Sequence, residues 1–222
     1  MKLFLNSFVF LFLFCWSLFG EEINKSYVVK VSGIKIGELN WQIKIDNDEY
    51  LNKLDLKSKG LLSAIYNFKG EYISKGVAHN RELIVKKYKH FWQTKKTVKN
   101  MELTFNENKL ISLKQDPAEK EKIRLNIFDV KHTNDPLTSF QKIIMGEKSA
   151  LVVDGRRLYT MTANADENKN QITIEISNYY NLWADHKRNK FEKIIFEKKI
   201  EEILPYKMFI YFDGRVFRLE EN

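Results

Sequence analysis

Only one stretch of this 222-residue sequence, Asp135–Gly146, has the pattern of an amphipathic α-helix. Asp135 can accept hydrogen bonds from the first turn, and Pro136 suits the first helical position because no N–H is needed there. An apolar stripe at helical spacing consists of Leu137, Phe140, Ile143 and Ile144. Gly146 is predicted to end the helix, with Lys142 on its solvent side near the negative end of the dipole. Because so short a helix is marginal alone, we expect it to dock on a sheet.

The sequence after residue 20 otherwise reads as one β-strand after another. In the run Ile34–Ile45, apolar and polar residues alternate, which is typical of a half-buried antiparallel strand. Two Asp-Gly pairs between strand-like runs, Asp154-Gly155 and Asp213-Gly214, predict hairpins with type I′ turns. Glycine and asparagine mark further turns at short intervals, so the pattern favours a sandwich, a barrel or a roll.

The predicted strand Leu83–Trp92 is unusual because both of its faces are partly apolar and partly basic. Strict alternation divides it into Ile84, Lys86, Tyr88, His90 and Trp92 on one face, and Leu83, Val85, Lys87, Lys89 and Phe91 on the other. We expect a long twisted strand whose two ends are buried on opposite sides.

Residues 1–20 have the pattern of a secretory signal peptide. Lys2 supplies a short positive region, Phe8–Trp16 is wholly apolar, and Gly20 is a small residue at which a signal peptidase could cut. An uncleaved membrane anchor is the alternative, although polar residues shorten the apolar core below the roughly 20 residues that a span needs. Lipidation at Cys15 is disfavoured because bulky Phe14 precedes it.

The amino-acid composition limits the kinds of partner that the protein is expected to bind. The chain has 37 Lys and Arg against 29 Asp and Glu, and its lysines are spread along the sequence. These lysines either lie on solvent-exposed strand faces or, alternatively, favour binding to an anionic surface such as lipid headgroups. Cleavage after Gly20 would remove Cys15, the only cysteine, and would exclude disulfides and thiol chemistry. We expect residues 21–222 to form one domain, as a monomer and without a nucleic-acid partner.

Six short motifs carry a resemblance to a known family. They are Gly33-Ile34-Lys35-Ile36-Gly37, Lys59-Gly60, Ser74 with Gly76, Asp135-Pro136-Leu137, Asp154-Gly155-Arg156-Arg157-Leu158-Tyr159 and Leu204-Pro205-Tyr206. With them the sequence resembles DUF3108, a family of exported bacterial proteins of unknown function. The resemblance implies a mainly β fold, a curled antiparallel sheet that forms a spiral roll or an incomplete barrel, with one docked α-helix. It also implies a cell-envelope location, and it supplies no catalytic residues. The lysine-rich segment 86–99 has no counterpart in the family.

Motifs of enzyme chemistry are missing from the sequence. The four histidines, His79, His90, His132 and His186, are not at metal-ligand spacing. No nucleophile motif accompanies the pair Asp185-His186, and there is no phosphate-binding glycine loop. Turn positions already account for the two aspartates of the Asp-Gly pairs. We therefore expect no enzymatic activity, no metal and no cofactor.

A binding function is the remaining expectation. The aromatic residues Trp41, Tyr66, Phe68, Tyr72, Trp92 and Trp183 either fill the core or line an apolar groove, with the helix as its lid and Lys86, Lys87 and Lys89 at its mouth. The candidate ligand-binding residues are Trp41, Lys86, Tyr88, Lys89 and Trp92. We expect a non-enzymatic periplasmic protein of a diderm bacterium that binds an apolar or anionic lipid-like ligand. The alternative is a periplasmic scaffold that pairs a partner polypeptide at an open sheet edge.

Overall fold

The structure is a computed structural model that describes residues 21–60, 63, 67–79, 82–166, 170–183, 190–200 and 202–222. The predicted signal segment 1–20, Tyr66 and the pair Asp185-His186 lie outside the described residues. The strands are β1 Glu21–Val31, β2 Ile34–Asp46, β3 Glu49–Ser58, β4 Phe68–His79, β5 Glu82–Thr94, β6 Val98–Asn106, β7 Lys109–Asp116, β8 Thr133–Asn134, β9 Ser149–Val153, β10 Arg157–Asp166, β11 Gln171–Asn181, β12 Phe191–Glu197, β13 Lys207–Phe212 and β14 Arg215–Glu221. The helix α1 is Pro136–Ile144, and a 3-10 turn covers Ile127–Asp129.

All of these strands belong to one sheet, in the order β7-β6-β5-β4-β3-β2-β1-β14-β13-β12-β11-β10-β9-β8. Neighbouring strands are antiparallel except β8 and β9, which are parallel. β1 pairs with β14, so that Val29 lies opposite Leu219. The sheet closes almost completely and leaves one unsealed seam between its edge strands, β7 and β8. The predicted mainly β fold is confirmed, and it is an incomplete barrel.

The tight curvature of the sheet is accompanied by β-bulges, which bend a strand and increase its twist. The bulge in β5 corrects the predicted faces of this strand. Lys75 pairs with Lys87 but its neighbour Gly76 pairs with Val85, so Lys86 is an extra residue. Odd-numbered residues of β5 therefore point inward before the bulge, and even-numbered residues point inward after it. Both apolar ends of β5 face the interior, and the lysines between them can lie outside it.

Gly76 is required at this bulge because the two strands approach closely there. A Cβ atom at position 76 would lie 2.0 Å from the carbonyl oxygen of Ile84 and 2.7 Å from Cε1 of Tyr50. Any side chain would force β4 and β5 apart. The glycine of the motif formed by Ser74 and Gly76 thus has a local structural cause.

The helix α1 begins and ends as predicted. Oδ1 of Asp135 accepts hydrogen bonds from the backbone N–H groups of Leu137 (2.9 Å) and Thr138 (3.1 Å). At the other end, Gly146 has a φ of +109°, and its N–H donates to the carbonyl of Ile143 at 3.0 Å. No helix within the described residues is both long and apolar enough to cross a membrane.

The environment of α1 differs from the prediction, because the helix lies inside the curl of the sheet. The ring of Phe140 lies 5.4 Å from that of Trp41 and 5.3 Å from that of Phe196, so it contacts strands from distant parts of the sheet. Every residue from Leu137 to Ile144 is buried, including the polar ones. The helix therefore fills part of the interior and is not a lid over it.

Lys142 is consequently not on a solvent face, and that prediction was wrong. It is only 8% exposed, and its Nζ lies 3.3 Å from Oε1 of Glu147, just beyond the end of the helix. The long aliphatic stem of a lysine can lie along apolar surface while its ammonium group reaches a polar partner. A one-sided apolar stripe suggested a half-exposed helix, but the barrel encloses both faces.

Candidate ligand-binding cavity

A cavity of about 1140 Å³ lies beside the first turn of α1. Pro136 and Leu137 form part of its wall. Much of the lining is apolar or aromatic and comes from strands on both sides of the seam: Leu54, Leu56, Tyr72, Tyr88, Trp92, Tyr159, Phe191, Ile210, Phe212 and Phe217. The exposed turn residues Lys95, Lys96 and Thr97 also line it, so the cavity opens to solvent at the β5–β6 turn.

One wall of the cavity is a row of side chains that crosses the seam. His90 on β5 pairs with Met101 on β6, and Met101 pairs with Gln115 on β7. Nε2 of Gln115 donates to the carbonyl oxygen of Gly155 at 2.7 Å. A Cβ at position 155 would lie 1.8 Å from Sδ of Met101, so a side chain there would displace Met101, and the φ of +81° also favours glycine. The β9–β10 turn is thereby held against the opposite edge of the sheet.

The β9–β10 turn does not have the type I′ geometry that was predicted for it. Val153 pairs with Leu158, and the N–H of Asp154 donates to the carbonyl of Arg157, which leaves Gly155 and Arg156 as the central pair. Gly155 has a φ of +81° whereas Asp154 is not in the positive-φ region, and a glycine at the first central position is typical of a type II′ turn. The second hairpin is as predicted, with positive φ at both Asp213 (53°) and Gly214 (69°).

Asp154 holds this turn and neutralises one of its two arginines. Its Oδ1 accepts from the N–H groups of Arg156 (2.9 Å) and Arg157 (2.8 Å). Its Oδ2 accepts from Nε of Arg157 at 2.7 Å and pairs with Nη2 of the same residue at 2.5 Å. This bidentate pair satisfies Arg157. Burial lowers the pKa of the Arg157 guanidinium, but the adjacent Asp154 outweighs it, so the pKa is raised overall.

The lining is polar and net positive at one end. Five of the described lining residues carry a positive charge and two carry a carboxylate: Lys95, Lys96, Lys99, Arg156 and Arg157 against Asp116 and Asp154. Two buried nitrogen atoms of lining residues, Nε2 of His90 and Nη1 of Arg156, have no hydrogen-bond partner within the described part of the chain. Leaving a buried polar atom unpaired is costly, so a polar partner that reached either atom from the cavity would stabilise it.

His90 is held neutral by its surroundings. Its ring stacks on that of Tyr72, with centroids 4.4 Å apart and an interplanar angle of 16°. Burial lowers the pKa of His90 to about 4, and the nearby arginines act in the same direction against the opposing effect of Asp154. At neutral pH the imidazole therefore carries no charge and presents one N–H donor and one acceptor.

This shift predicts a pH dependence of stability. Below its ordinary pKa of 6.5, His90 takes up a proton in the unfolded chain but stays neutral in the fold down to about 4. The unfolded state then binds more protons, so the free energy of unfolding should fall as pH falls through this window, by roughly 1–3 kcal/mol. Urea titrations of the wild type and of His90→Phe, which keeps a ring against Tyr72, measure the difference.

The exposed His79 provides the matched control for this measurement. His79→Phe should follow the wild type between pH values of about 6.5 and 4, whereas His90→Phe should lose less stability over the same range. Identical pH profiles for the wild type and His90→Phe would show that His90 is not buried in its neutral form.

Of the five candidate residues from the sequence, the structure brings two together at the cavity. Tyr88 and Trp92 line it, and Trp92 stacks on Phe68 with centroids 5.2 Å apart. Trp41 lies in the closed core, 3% exposed, and its indole N–H donates to Oδ1 of Asn52 at 2.7 Å. The helix packs against Trp41 and thereby separates this residue from the cavity.

The lysines of β5 do not line this cavity. Lys86 is the exposed bulge residue. Lys87 and Lys89 lie on the outer face, where both pair with Glu102 on β6, at 3.0 and 3.2 Å. The basic end of the cavity comes from Arg156 and from the β5–β6 turn, which the sequence reasoning did not select. The signal available was two adjacent arginines in a tight turn between strands, although sequence could not show that this turn meets β6 and β7.

A second buried polar cluster lies at the start of α1. Oδ2 of Asp135 accepts from Oγ of Ser74 at 2.8 Å and from Oγ1 of Thr138 at 2.5 Å. The hydroxyl of Tyr50 lies 2.7 Å from Oγ1 of Thr138. Burial raises the pKa of Asp135 although these hydrogen bonds oppose it, and burial also raises the pKa of Tyr50. The cluster joins the helix to β3 and β4, and its groups satisfy one another.

The histidines and carboxylates do not gather into a metal site in the part of the chain that the structure describes. No group of three or more His, Cys, Asp or Glu side chains is placed to hold an ion there. His79 lies 4.0 Å from Asp48 at the surface, and His90 lines the cavity.

The fold and the cavity define a barrel-like protein with a partly open interior. A crystal structure described as a β-barrel-like protein of domain of unknown function DUF1849, from Brucella abortus, has a similar fold. The TM-score is 0.53 at 11% sequence identity, over 90% of this chain and 95% of that chain. No curated protein matches the sequence.

The chain belongs to DUF3108, a family of proteins of unknown function, whose model matches residues 26–140. The match runs from β1 to the middle of α1, and it includes Ser74 and Asp135 of the buried polar cluster at the start of α1, as well as Gly76 at the β4–β5 bulge. The motifs at 154–159 and 204–206 lie outside the matched residues. The suspected family is thus confirmed, on the part of the chain that forms the first half of the barrel.

Proposed function

We propose that this protein is a non-enzymatic binding protein that holds an elongated, mainly apolar molecule inside its incomplete barrel. The observation that carries the proposal is the cavity of about 1140 Å³ beside the helix, lined by aromatic and aliphatic side chains and open at one end. Pockets for small molecules typically measure about 300–1,000 Å³ and combine an apolar lining with a few polar groups. A lipid-like guest fits this chemistry, because each Å² of apolar surface that it buries contributes about 25 cal/mol.

The proposal also includes export to the cell envelope, where such a guest is abundant. Its support is the sequence of residues 1–20, with Lys2, an apolar run and Gly20 before two glutamates. The mature chain would then begin at Glu21, the first residue of β1.

Native mass spectrometry of protein purified gently from the envelope of its host tests both parts. The mass of the stripped polypeptide should correspond to cleavage after Gly20, and the intact protein should carry an additional lipid-sized mass. Leu56→Trp places a bulky ring in the cavity and should reduce the bound fraction at least about tenfold, because the guest and the ring compete for one volume.

Ile200→Trp adds the same ring at a position that is 85% exposed and not part of the lining, and it should leave the bound fraction unchanged. Both variants must melt as single cooperative transitions for the comparison. A wild-type protein that carries no guest from any fraction would contradict the binding function, and an uncleaved polypeptide in the membrane would contradict periplasmic release.

The seam favours a second candidate function, the pairing of a partner's strand with the sheet. In the part of β7 from Lys109 to Lys114, no hydrogen bond between described residues reaches the facing edge of the sheet. Ile111 in this part of the strand is 55% exposed. An exposed edge strand is a template for an added strand. The same mass spectra separate the two functions, since this one predicts a co-purifying polypeptide and no lipid.

A further inference from the structure

We infer that Arg156, together with His90, binds the anionic oxygen group of the guest, a carboxylate or a phosphate monoester. This inference rests on the proposed function and identifies the chemical class of the guest. It assigns the recognition of charge to the seam side of the cavity and not to the lysines of β5.

The two arginines of the β9–β10 turn have different environments. Arg157 is paired with Asp154 through two nitrogen atoms and is thereby neutralised. The side chain of Arg156 has no ion pair with any described residue, and its Nη1 is buried without a hydrogen-bond partner. A guanidinium offers several N–H donors in a planar fork that matches a carboxylate or a phosphate. Arg156 is therefore a cation that lines the cavity and is short of an acceptor.

His90 supplies the second donor on the same side. It shares a row with Met101, whose sulfur packs against Gly155, the residue before Arg156. Its Nε2 is also buried without a partner in the described chain. Because the ring is neutral, it can donate one hydrogen bond to an anion without adding a second buried charge.

The rest of the lining determines the shape of the guest. Asp154 is occupied by Arg157 and by the turn backbone, so it does not compete for Arg156. Apolar residues such as Leu54, Leu56 and Phe217 themselves offer no partner for a charged group. An anionic group at Arg156 with a hydrocarbon chain along these residues would satisfy both parts of the lining.

Isothermal titration calorimetry with four probes tests the inference: dodecanoate, dodecyl phosphate, dodecanol and inorganic phosphate. Delipidated wild-type protein should bind at least one of the two anionic amphiphiles at least about tenfold more tightly than dodecanol, since a charge-assisted hydrogen bond is formed only with the anion. Whichever anion binds more tightly identifies the headgroup. Inorganic phosphate should bind much more weakly, because it lacks the chain.

Arg156→Gln should abolish this preference while dodecanol binds as in the wild type. The matched control is Arg215→Gln, which removes the exposed arginine of the other Asp-Gly-Arg turn and should retain the preference. Lys89→Gln removes a cation on the outer face of β5, where it pairs with Glu102, and should change the preference less than about twofold, because exposed charges are screened. If Arg156→Gln does not fold, His90→Phe, which keeps the stacked ring, should reduce the same preference.

The possible outcomes distinguish the two proposals. Equal affinity of the wild type for dodecanol and both anions would overturn the role of Arg156 and leave the apolar cavity standing. A preference that survives Arg156→Gln, or that is lost equally in Lys89→Gln, would also overturn it. Failure of every amphiphile to bind would contradict the proposed function itself.

Discussion

Phe140→Ala is expected to lower the free energy of unfolding by about 3–5 kcal/mol, the usual range for truncating a buried phenylalanine. The side chain is 6% exposed and packs between the rings of Trp41 and Phe196. It therefore fills space that the surrounding sheet, with its fixed strand pairing, cannot close. Urea denaturation monitored by tryptophan fluorescence measures the change, since Trp41 lies against the lost ring.

Met145→Ala provides the control on the same helix. Met145 is the C-cap residue and is 42% exposed, so its truncation should cost less than about 0.5 kcal/mol. If the two variants were equally stable, the helix would not lie inside the barrel as described. Lys142→Ala is not a suitable control, because Lys142 is itself buried.

Asp135→Ala is expected to be comparably destabilising, by roughly 3–5 kcal/mol, because an N-cap is worth about 0.5–2 kcal/mol and each buried donor left unpaired adds about 1–3 kcal/mol. The carboxylate accepts four hydrogen bonds, from two backbone N–H groups and from the hydroxyls of Ser74 and Thr138. Removing it leaves these donors without an acceptor inside the protein. Thermal and urea denaturation give the magnitude.

Asp135→Asn tests whether the loss comes from the hydrogen bonds. Asparagine keeps one carbonyl oxygen for the backbone of the first turn, and it should therefore lose clearly less than alanine does. Equal losses in the two variants would indicate that the acceptor oxygen at the N-cap contributes little. Near-ultraviolet circular dichroism should show that Tyr50, at the edge of the cluster, keeps its environment in the asparagine variant.

Local signals predicted the elements of the fold well because each depends on a few neighbouring residues. The helix was identified from a cap, a first-turn proline and a terminal glycine, and both ends are where these residues place them. Strand alternation in Ile34–Ile45 gave the correct inward face, with Leu39, Trp41 and Ile43 buried. The second Asp-Gly hairpin was also predicted correctly.

The incorrect predictions concern relations between distant segments. Lys142 was assigned to solvent because sequence shows one apolar stripe but not the strands that enclose the other side of the helix. The two faces of β5 were misassigned because the bulge at Lys86 depends on the register with β4. The basic end of the cavity was missed for the same reason, since Arg156 reaches it only because Gly155 packs on Met101 across the seam.

The strand order has a further consequence for how the chain is connected. Read around the sheet, it is a circular permutation of the order along the sequence, with β1 beside β14 at its centre and the free edges at mid-chain. The N–H of Asn222 donates to the carbonyl of Ser26, so the ends of the described chain lie on neighbouring strands. A chain joined from 222 to 21 and opened within 117–126 would pair each strand only with its neighbours in sequence. Within the described sheet, the β1–β14 pairing is therefore the strand pairing that must bring distant parts of this chain together.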